Sequence, residues 1–485
     1  MDLGVCHRAS PRVSLSARCC RSCGNGPGAA PIPRPPQSRV SGGRPPSPLL
    51  RYVSPPPPGV TTPETAVGAT EGAPVPPSAH PVAVTGIGML TPAGNTPEET
   101  WAGLCRGRGL ARRDPVLAGL PVDISCRIEG FDAVAAHGRV TARRLDRFAH
   151  LALAAARGAV ADAKLDPATW PGDRVAVILG VGSNSLETYA EEFAKLAAGR
   201  PAAVSPMALP RSVPNMVAGT VAIDLNARGP GFTVASACAS GATAIGVARD
   251  LLLAGACDIA VAGGSESGRA RMTATCFARM GALSRRTAEP EAAARPFDVE
   301  RDGFVLAEGA AALVLERQDH ALRRGAQARA LLLGYAATSD AHHPVAPDPE
   351  GAGAERALRA ALSDAGCAPR DIGQITAHGT STPAGDAAEA LALLRAFDGA
   401  PPPVTAPKGA LGHCLGAAGA IGAALTVLAL EHQEIPPTAN LRAQDPACAL
   451  DIVTGHRPRP ARLDAAISNA FGFGGQNAVL VLTRG

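Results

Sequence analysis

An α/β fold is what this chain predicts. Short apolar segments bounded by turn residues alternate with longer segments of helical phasing, the pattern of strands joined by helical crossovers. Hydrophobic residues make up 46% of the 485 positions, enough for one large core where length alone would allow two or three domains. Two long runs, one following Cys238 and one over 414–430, carry no polar face. A helix without a polar face must be covered all round, so both belong to an interior helical layer between sheets.

Taken in order, the elements begin only after residue 80. Residues 1–80 are rich in Pro, Arg, Ser and Gly, include the Ser-Pro-Pro-Pro-Pro-Gly run at 54–59, and contain almost no acids before Glu64. Such a segment cannot bury a core, and it reads as a disordered tail or as a start assigned too early. An acid-poor, Arg/Ser-rich N-terminus also fits a transit peptide, but its proline density argues against an amphipathic targeting helix. Cys19, Cys20 and Cys23 lack a second pair of ligands at zinc spacing, so no metal is expected there. Strands are expected at 81–86, 175–180, 259–263, 311–315, 330–334 and 478–482, and a helix at 353–365. The 414–430 run approaches membrane-span length but is rich in Gly and Ala and is followed at once by Glu431 and His432, which favours a buried helix. These elements group into two halves, 81–329 and 330–485, each with one all-apolar helix that opens on a reactive residue.

Charge and cysteine usage exclude several functions. The net charge of +4 is modest and aromatic residues are 3% of the chain, unlike a nucleic-acid binder with a basic stripe and interleaved rings. Twelve cysteines without a repeating pattern, four of them in the first 80 residues, do not form a disulfide framework; a reducing cytoplasm fits better. No secretory signal with a continuous apolar core is visible, and no membrane span is expected.

The chemistry-bearing residues lie at junctions of apolar segments and Gly-rich turns. Cys238 sits in Val-Ala-Ser-Ala-Cys-Ala-Ser-Gly-Ala-Thr-Ala-Ile-Gly, where small neighbours would let a carbonyl reach the sulfur and a helix N-terminus would lower the thiol pKa toward roughly 3.5–7.5. Taken alone it also fits an inert core cysteine. His378 leaves the apolar segment 372–377 for the turn His378-Gly-Thr380-Ser-Thr382-Pro, and His413 stands in Gly412-His413-Cys-Leu-Gly416 before the second all-apolar run. One nucleophile and two histidines in equivalent settings favour catalysis over structure. Lys408, five residues before His413, is one of only three lysines in a chain of 46 Lys plus Arg, so it is not a random surface charge. A lysine is a compact point charge with three donors, suited to holding a neighbouring imidazole.

From about Pro81 onward the chain resembles the β-ketoacyl-acyl carrier protein synthases, the decarboxylating condensing enzymes of the thiolase superfamily. The resemblance rests on the Cys238, His378 and His413 motifs, on Val84-Thr-Gly-Ile-Gly-Met-Leu-Thr-Pro-Ala-Gly-Asn95, on Pro214-Asn-Met-Val-Ala-Gly219, on Arg295-Pro-Phe-Asp-Val-Glu-Arg-Asp-Gly-Phe304 and on Asn469-Ala-Phe-Gly-Phe473-Gly-Gly475. The Cys-His-His set is that of the elongating branch. The resemblance implies a duplicated thiolase-like five-layer αβαβα sandwich with the site between halves. It also implies that Cys238 takes an acyl group from the phosphopantetheine of an acyl carrier protein, and that His378 and His413 stabilise the enolate formed as malonyl-carrier protein loses CO2. No metal and no organic cofactor is called for.

By the same resemblance the backbone N–H groups of Cys238 and Phe473 form an oxyanion hole, Phe473 gates the site between its flanking glycines, and Thr380 and Thr382 bond the pantetheine amides. Ser183 stands where bulkier aliphatics commonly limit the acyl pocket, so longer or more polar chains are expected. Arg143 and Arg144 are expected to dock an acidic carrier protein. Three positions depart from the family: Gly422 replaces a glutamate that commonly pairs with the lysine, and Val345 and Ala346 replace hydroxyl residues. A homodimer, or a heterodimer with a related subunit, is implied. The alternative function is a catalytically silent chain-length-factor partner of another ketosynthase, against which Cys238 and both histidines argue.

Overall fold

The structure of the protein, a computed structural model, describes residues 81–183 and 185–485. The readings made for residues 1–80, the Cys19, Cys20 and Cys23 group included, lie outside the described residues.

Ten strands form one mixed sheet: β1 (Val82–Leu90), β2 (Val175–Gly180), β3 (Gly231–Val234), β4 (Ile259–Ser267), β5 (Glu308–Arg317), β6 (Ala330–Ser339), β7 (Ile372–Thr376), β8 (Val404–Thr405), β9 (Ala465–Gly472) and β10 (Gln476–Arg484). Their order across the sheet is β8-β7-β9-β10-β6-β1-β5-β4-β2-β3. Adding five to each label of the run β3-β2-β4-β5-β1 gives β8-β7-β9-β10-β6, so the second five strands repeat the first. Strand directions repeat as well: β2 is parallel to β3 and β4, as β7 is to β8 and β9, while β5 is antiparallel to β4 and β1, as β10 is to β9 and β6. The two groups join through the antiparallel pairs Val82 with Leu332, Ala83 with Leu331 and Val84 with Ala330.

The helices explain why the strands are apolar on both faces. On the outside of the first group lie α1 (Arg147–Asp162) and α2 (Asn215–Asp224), with α1 packed on β1, β4 and β5. The all-apolar segments form α3 (Ser240–Leu253) and, further along the chain, α6 (Ala418–His432); each touches strands of both groups as well as the other helix. Between them in sequence, α4 (Ala352–Ala365) and α5 (Pro383–Ala396) cover the outside of the second group. The layers are therefore helix, sheet, helix, sheet, helix. The window 415–432 is apolar enough to cross a membrane by composition, yet 78% of it is buried inside the protein.

Glycine lets the two central helices meet backbone to backbone. A Cβ at Gly241 would lie 2.7 Å from the Ala420 nitrogen, and one at Gly419 would lie 2.7 Å from the Ala242 nitrogen. This crossing brings the N-terminal ends of α3 and α6 together, and with them Cys238 and His413.

Sequence patterning found six strands, matching β2 at both ends and stopping short at one end or both of the other five. It missed β3, whose residues are half exposed at a sheet edge, and β8, which is two residues long. It passed over β9 because Ser468 and Asn469 interrupt the apolar pattern, although both are buried. It read 372–377 as an apolar segment without naming it a strand.

Candidate active site

Cys238 lies in a 3-10 turn, Ala237–Ala239, one residue before α3 and not in the helix itself. Ala237 carries a positive φ of 49°, a costly conformation for a residue with a Cβ. The turn is tied down by Ser240, whose hydroxyl donates to the Ala237 carbonyl at 2.6 Å and accepts from the Ser236 N–H at 2.9 Å. From the other side β9 presses against it: a Cβ at Gly472 would stand 2.7 Å from the Ser236 oxygen and 3.1 Å from the Cys238 nitrogen.

His413 Nε2 is 3.2 Å from Cys238 Sγ. His378 stands beside it, ring centroids 5.5 Å apart and planes nearly perpendicular at 86°. Phe304 packs edge-on against His413 at 5.1 Å and Phe471 lies 5.9 Å from His378, so aromatic walls fix both rings. Lys408 Nζ donates to the His378 carbonyl at 2.5 Å and lies 3.4 Å from His378 Nδ1. An ammonium there can only donate, which leaves the His378 proton on Nε2.

Electrostatics favour two neutral rings. Burial, with the Lys408 charge added, holds both histidines well below the ordinary imidazole range, and His413 also depresses His378. The thiol departs from the sequence expectation. Burial pushes Cys238 up to about 11; the Lys408 charge and the N–H groups of Phe473 and Cys238 act against that shift without reversing it. The helix end is too weak a field to offset complete desolvation. Those two N–H groups nevertheless face the sulfur together.

These groups line a cavity of about 730 Å³ with Phe277, Phe473, Thr380, Thr382 and Val345. Thr380 and Thr382 hydroxyls lie 2.9 Å apart. Gly474 and Gly475 both adopt positive φ in the turn after Phe473, whereas Gly472 is extended strand and serves close approach. Ser183 is not in the lining; its hydroxyl reaches Glu266 Oε1 at 3.4 Å. Arg143 and Arg144 are exposed in the last turn of the helix Ala133–Arg144.

Sequence reading overlooked Glu389 as a site residue. Its carboxylate accepts from the His378 N–H at 2.8 Å and the Gly379 N–H at 2.7 Å, and from Asn469 Nδ2 at 3.1 Å. It thus fixes the backbone from which the imidazole projects. The available signal was Asp386 and Glu389 three apart on an otherwise apolar helix, since buried acids need partners. Phe277, Phe304 and Phe471 were equally unmarked.

A buried thiol facing one of two neutral imidazoles, with paired backbone N–H groups behind the sulfur, defines a centre for acyl transfer and carbanion stabilisation on a thiolase-like fold. Comparison with known proteins specifies it. Residues 79–321 match the β-ketoacyl synthase N-terminal domain and residues 329–442 the β-ketoacyl synthase C-terminal domain. The chain belongs to the β-ketoacyl synthase family. It is 40% identical over 410 residues to the 3-oxoacyl-[acyl-carrier-protein] synthase 2 of Synechocystis sp., covering 83% of this chain and 98% of that protein. With the synthase 2 of Staphylococcus aureus strain COL it shares 39% over 407 residues, 83% of this chain and 98% of that protein. Among solved structures it is similar to the ishigamide ketosynthase/chain length factor, with a TM-score of 0.79, 36% identity and coverage of 84% of this chain and 99% of that one. It is also similar to AntDE:AntF, described as a type II polyketide synthase carrier protein in complex with its ketosynthase bound to the hexaketide (TM-score 0.77, 29% identity, 84% and 99% covered).

Proposed function

We propose that this chain joins an acyl thioester to malonyl-acyl carrier protein with loss of CO2, giving 3-oxoacyl-acyl carrier protein for fatty-acid or type II polyketide-like synthesis. The observation that carries the reading is the 3.2 Å contact of Cys238 Sγ with His413 Nε2 beside a second neutral imidazole.

The first half-reaction moves an acyl group from pantetheine sulfur to Cys238. The Cys238 thiol proton leaves on the departing pantetheine sulfur, and His413 Nε2 keeps its own proton for the second half-reaction. In the second half-reaction malonyl-carrier protein enters, its C–C bond to the carboxylate breaks, and CO2 departs. The electron pair left on carbon delocalises onto the thioester oxygen, where N–H groups of His378 and His413 hold it. The carbanion then attacks the acyl carbonyl, whose oxygen the N–H groups of Cys238 and Phe473 stabilise, and the Cys238 thiolate leaves to be reprotonated. No metal or organic cofactor takes part in these steps.

The closeness to named 3-oxoacyl-carrier protein synthases supports a carrier protein as the substrate donor, with Arg143 and Arg144 as its contact. Structural neighbours described as ketosynthase complexes with chain length factors support a dimer, of two identical chains or of two related ones. We assign Thr380 and Thr382 to the pantetheine amides, Phe473 to gating, and the enzyme to the cytoplasm. The silent-partner alternative is disfavoured by a complete Cys238, His378 and His413 set.

Intact-protein mass spectrometry tests the function. An acyl adduct should form on Cys238 with a matching acyl-carrier protein and vanish as 3-oxoacyl-carrier protein appears on adding malonyl-carrier protein. Absence of any adduct across a panel of chain lengths would overturn it.

A further inference from the structure

Lys408 is buried, and among the described residues no carboxylate oxygen lies within 4.0 Å of its Nζ. It contacts the His378 carbonyl and Nδ1, which use two of its three donors. Glu389, the acid whose charge acts most strongly on Lys408, already accepts three N–H groups. A buried ammonium without a carboxylate is costly and calls for an anion.

Space for one exists. A second, small cavity that shares no lining residue with the substrate cavity is lined by Lys408, Thr376, Cys414, Ile421, Gly422 and Asn469 among others. Two buried polar atoms have no hydrogen-bond partner among the described residues: Asn469 Oδ1, whose residue lines the cavity, and Ser468 Oγ, which lies beside Gly422. Gly422, on α6, leaves the space open. A Cβ there would meet only Ser468 Oγ at 3.0 Å and the Thr376 methyl at 3.8 Å.

We propose that this chamber binds a one-carbon planar oxyanion, formate or bicarbonate, as the counter-ion of Lys408. Lys408 Nζ and Ser468 Oγ supply two donors to its oxygens, and Asn469 Oδ1 is the acceptor that a bicarbonate hydroxyl satisfies. Asn469 orientation is set by its Nδ2 donating to Glu389, so Oδ1 is the free end. The bound anion keeps Lys408 charged and donating to His378 Nδ1, which presents His378 Nε2–H to the substrate. An enzyme of this build is therefore tuned from a site that the acyl chain never enters. Bicarbonate is the hydrated form of the CO2 that the condensation releases, so the site can sense its own product.

The inference rests on the proposed condensation, and acylation of Cys238, scored first by mass, separates the two: no acylation overturns the function, not the anion site. The full chain is then assayed for malonyl-carrier protein decarboxylation in CO2-depleted buffer at constant ionic strength, with formate and bicarbonate titrated separately. The rate should rise about fivefold or more with saturation, the lower end of ordinary coupling between sites. A response to both anions identifies any one-carbon carboxylate as the occupant; a response to bicarbonate alone identifies the reaction's hydrated product. ¹³C-formate line broadening should report binding in wild type and its weakening in Ser468→Ala. Gly422→Glu supplies the carboxylate internally and should abolish both the response and the broadening while remaining active. An acylating enzyme whose rate and ¹³C-formate signal ignore the anions, or a Gly422→Glu variant that keeps the full response, would overturn the proposal.

Discussion

Burial pushes the Cys238 thiol up to about 11 while the Lys408 charge pulls the other way. Alkylation of Cys238 by iodoacetamide should therefore climb steadily with pH from 7 to about 10 without a plateau, because only the thiolate reacts. Removing the charge in Lys408→Met should slow alkylation at pH 8, by up to about tenfold for one pKa unit; an unchanged or faster rate would contradict the sign. Cys238→Ala should abolish acyl transfer and leave the melting temperature within a few degrees of wild type. Glu389→Ala removes the acceptor of two buried backbone N–H groups, and at about 1–3 kcal/mol for each orphaned group it should cost several kcal/mol in chemical denaturation as well as activity. Cys238, His378 and His413 were legible in sequence because each stands among small residues at the edge of an apolar segment, and Lys408 because lysine is rare in this chain. Glu389 was not, because its role depends on where α5 packs; nor was the thiol's raised pKa, because desolvation is a property of the finished fold.

Strands and helices carry a second set of consequences. Glu316, on β5, is fully buried and accepts from Thr85 at 2.5 Å, His320 at 2.7 Å and Arg324 at 2.8 Å. Although burial alone would raise it, the Arg324, His320 and Thr85 bonds prevail and hold its carboxyl down at about 2 against an ordinary 4.5. A depressed folded pKa means stability fully present above pH 4.5 and lost as pH falls toward 2, an effect of about 3 kcal/mol at most. Denaturation midpoints should fall across that window in wild type and fall less in Glu316→Gln. At the nucleophile, Gly472→Ala sets a Cβ against Ser236 and Cys238 and should lower acylation far more than it lowers stability. The alternation of strand and helix and both all-apolar helices could be read from hydrophobic periodicity. The edge strand β3 and the polar interior strand β9 could not, since neither alternates as a free-standing strand would.

Among the described residues of the whole molecule, large apolar side chains stand exposed near one edge of the sheet. Ile223 on α2 is 78% exposed and Phe232 on β3 is 42% exposed, with Phe193 at 63% and Leu209 at 62% also standing out. With β3 at the sheet edge among them, a second copy or a related subunit is the expected cover, and Ile223→Glu with Phe232→Glu should shift the proposed dimer toward monomer in sedimentation. The repeat of five strands was foreshadowed by two apolar helices each near a reactive residue, but the strand order was not, because sequence alone gives no pairing. That order has a bearing on biosynthesis. The last strand, β10, lies in the interior of the sheet between β9 and β6, and the loop just before it carries Phe473. A chain interrupted before residue 473 would therefore leave a gap between β9 and β6 and a Cys238 turn with no Phe473 N–H behind it. The middle of the sheet thus waits on a strand that comes late in the sequence, and the pair of N–H groups at the sulfur is completed just before it.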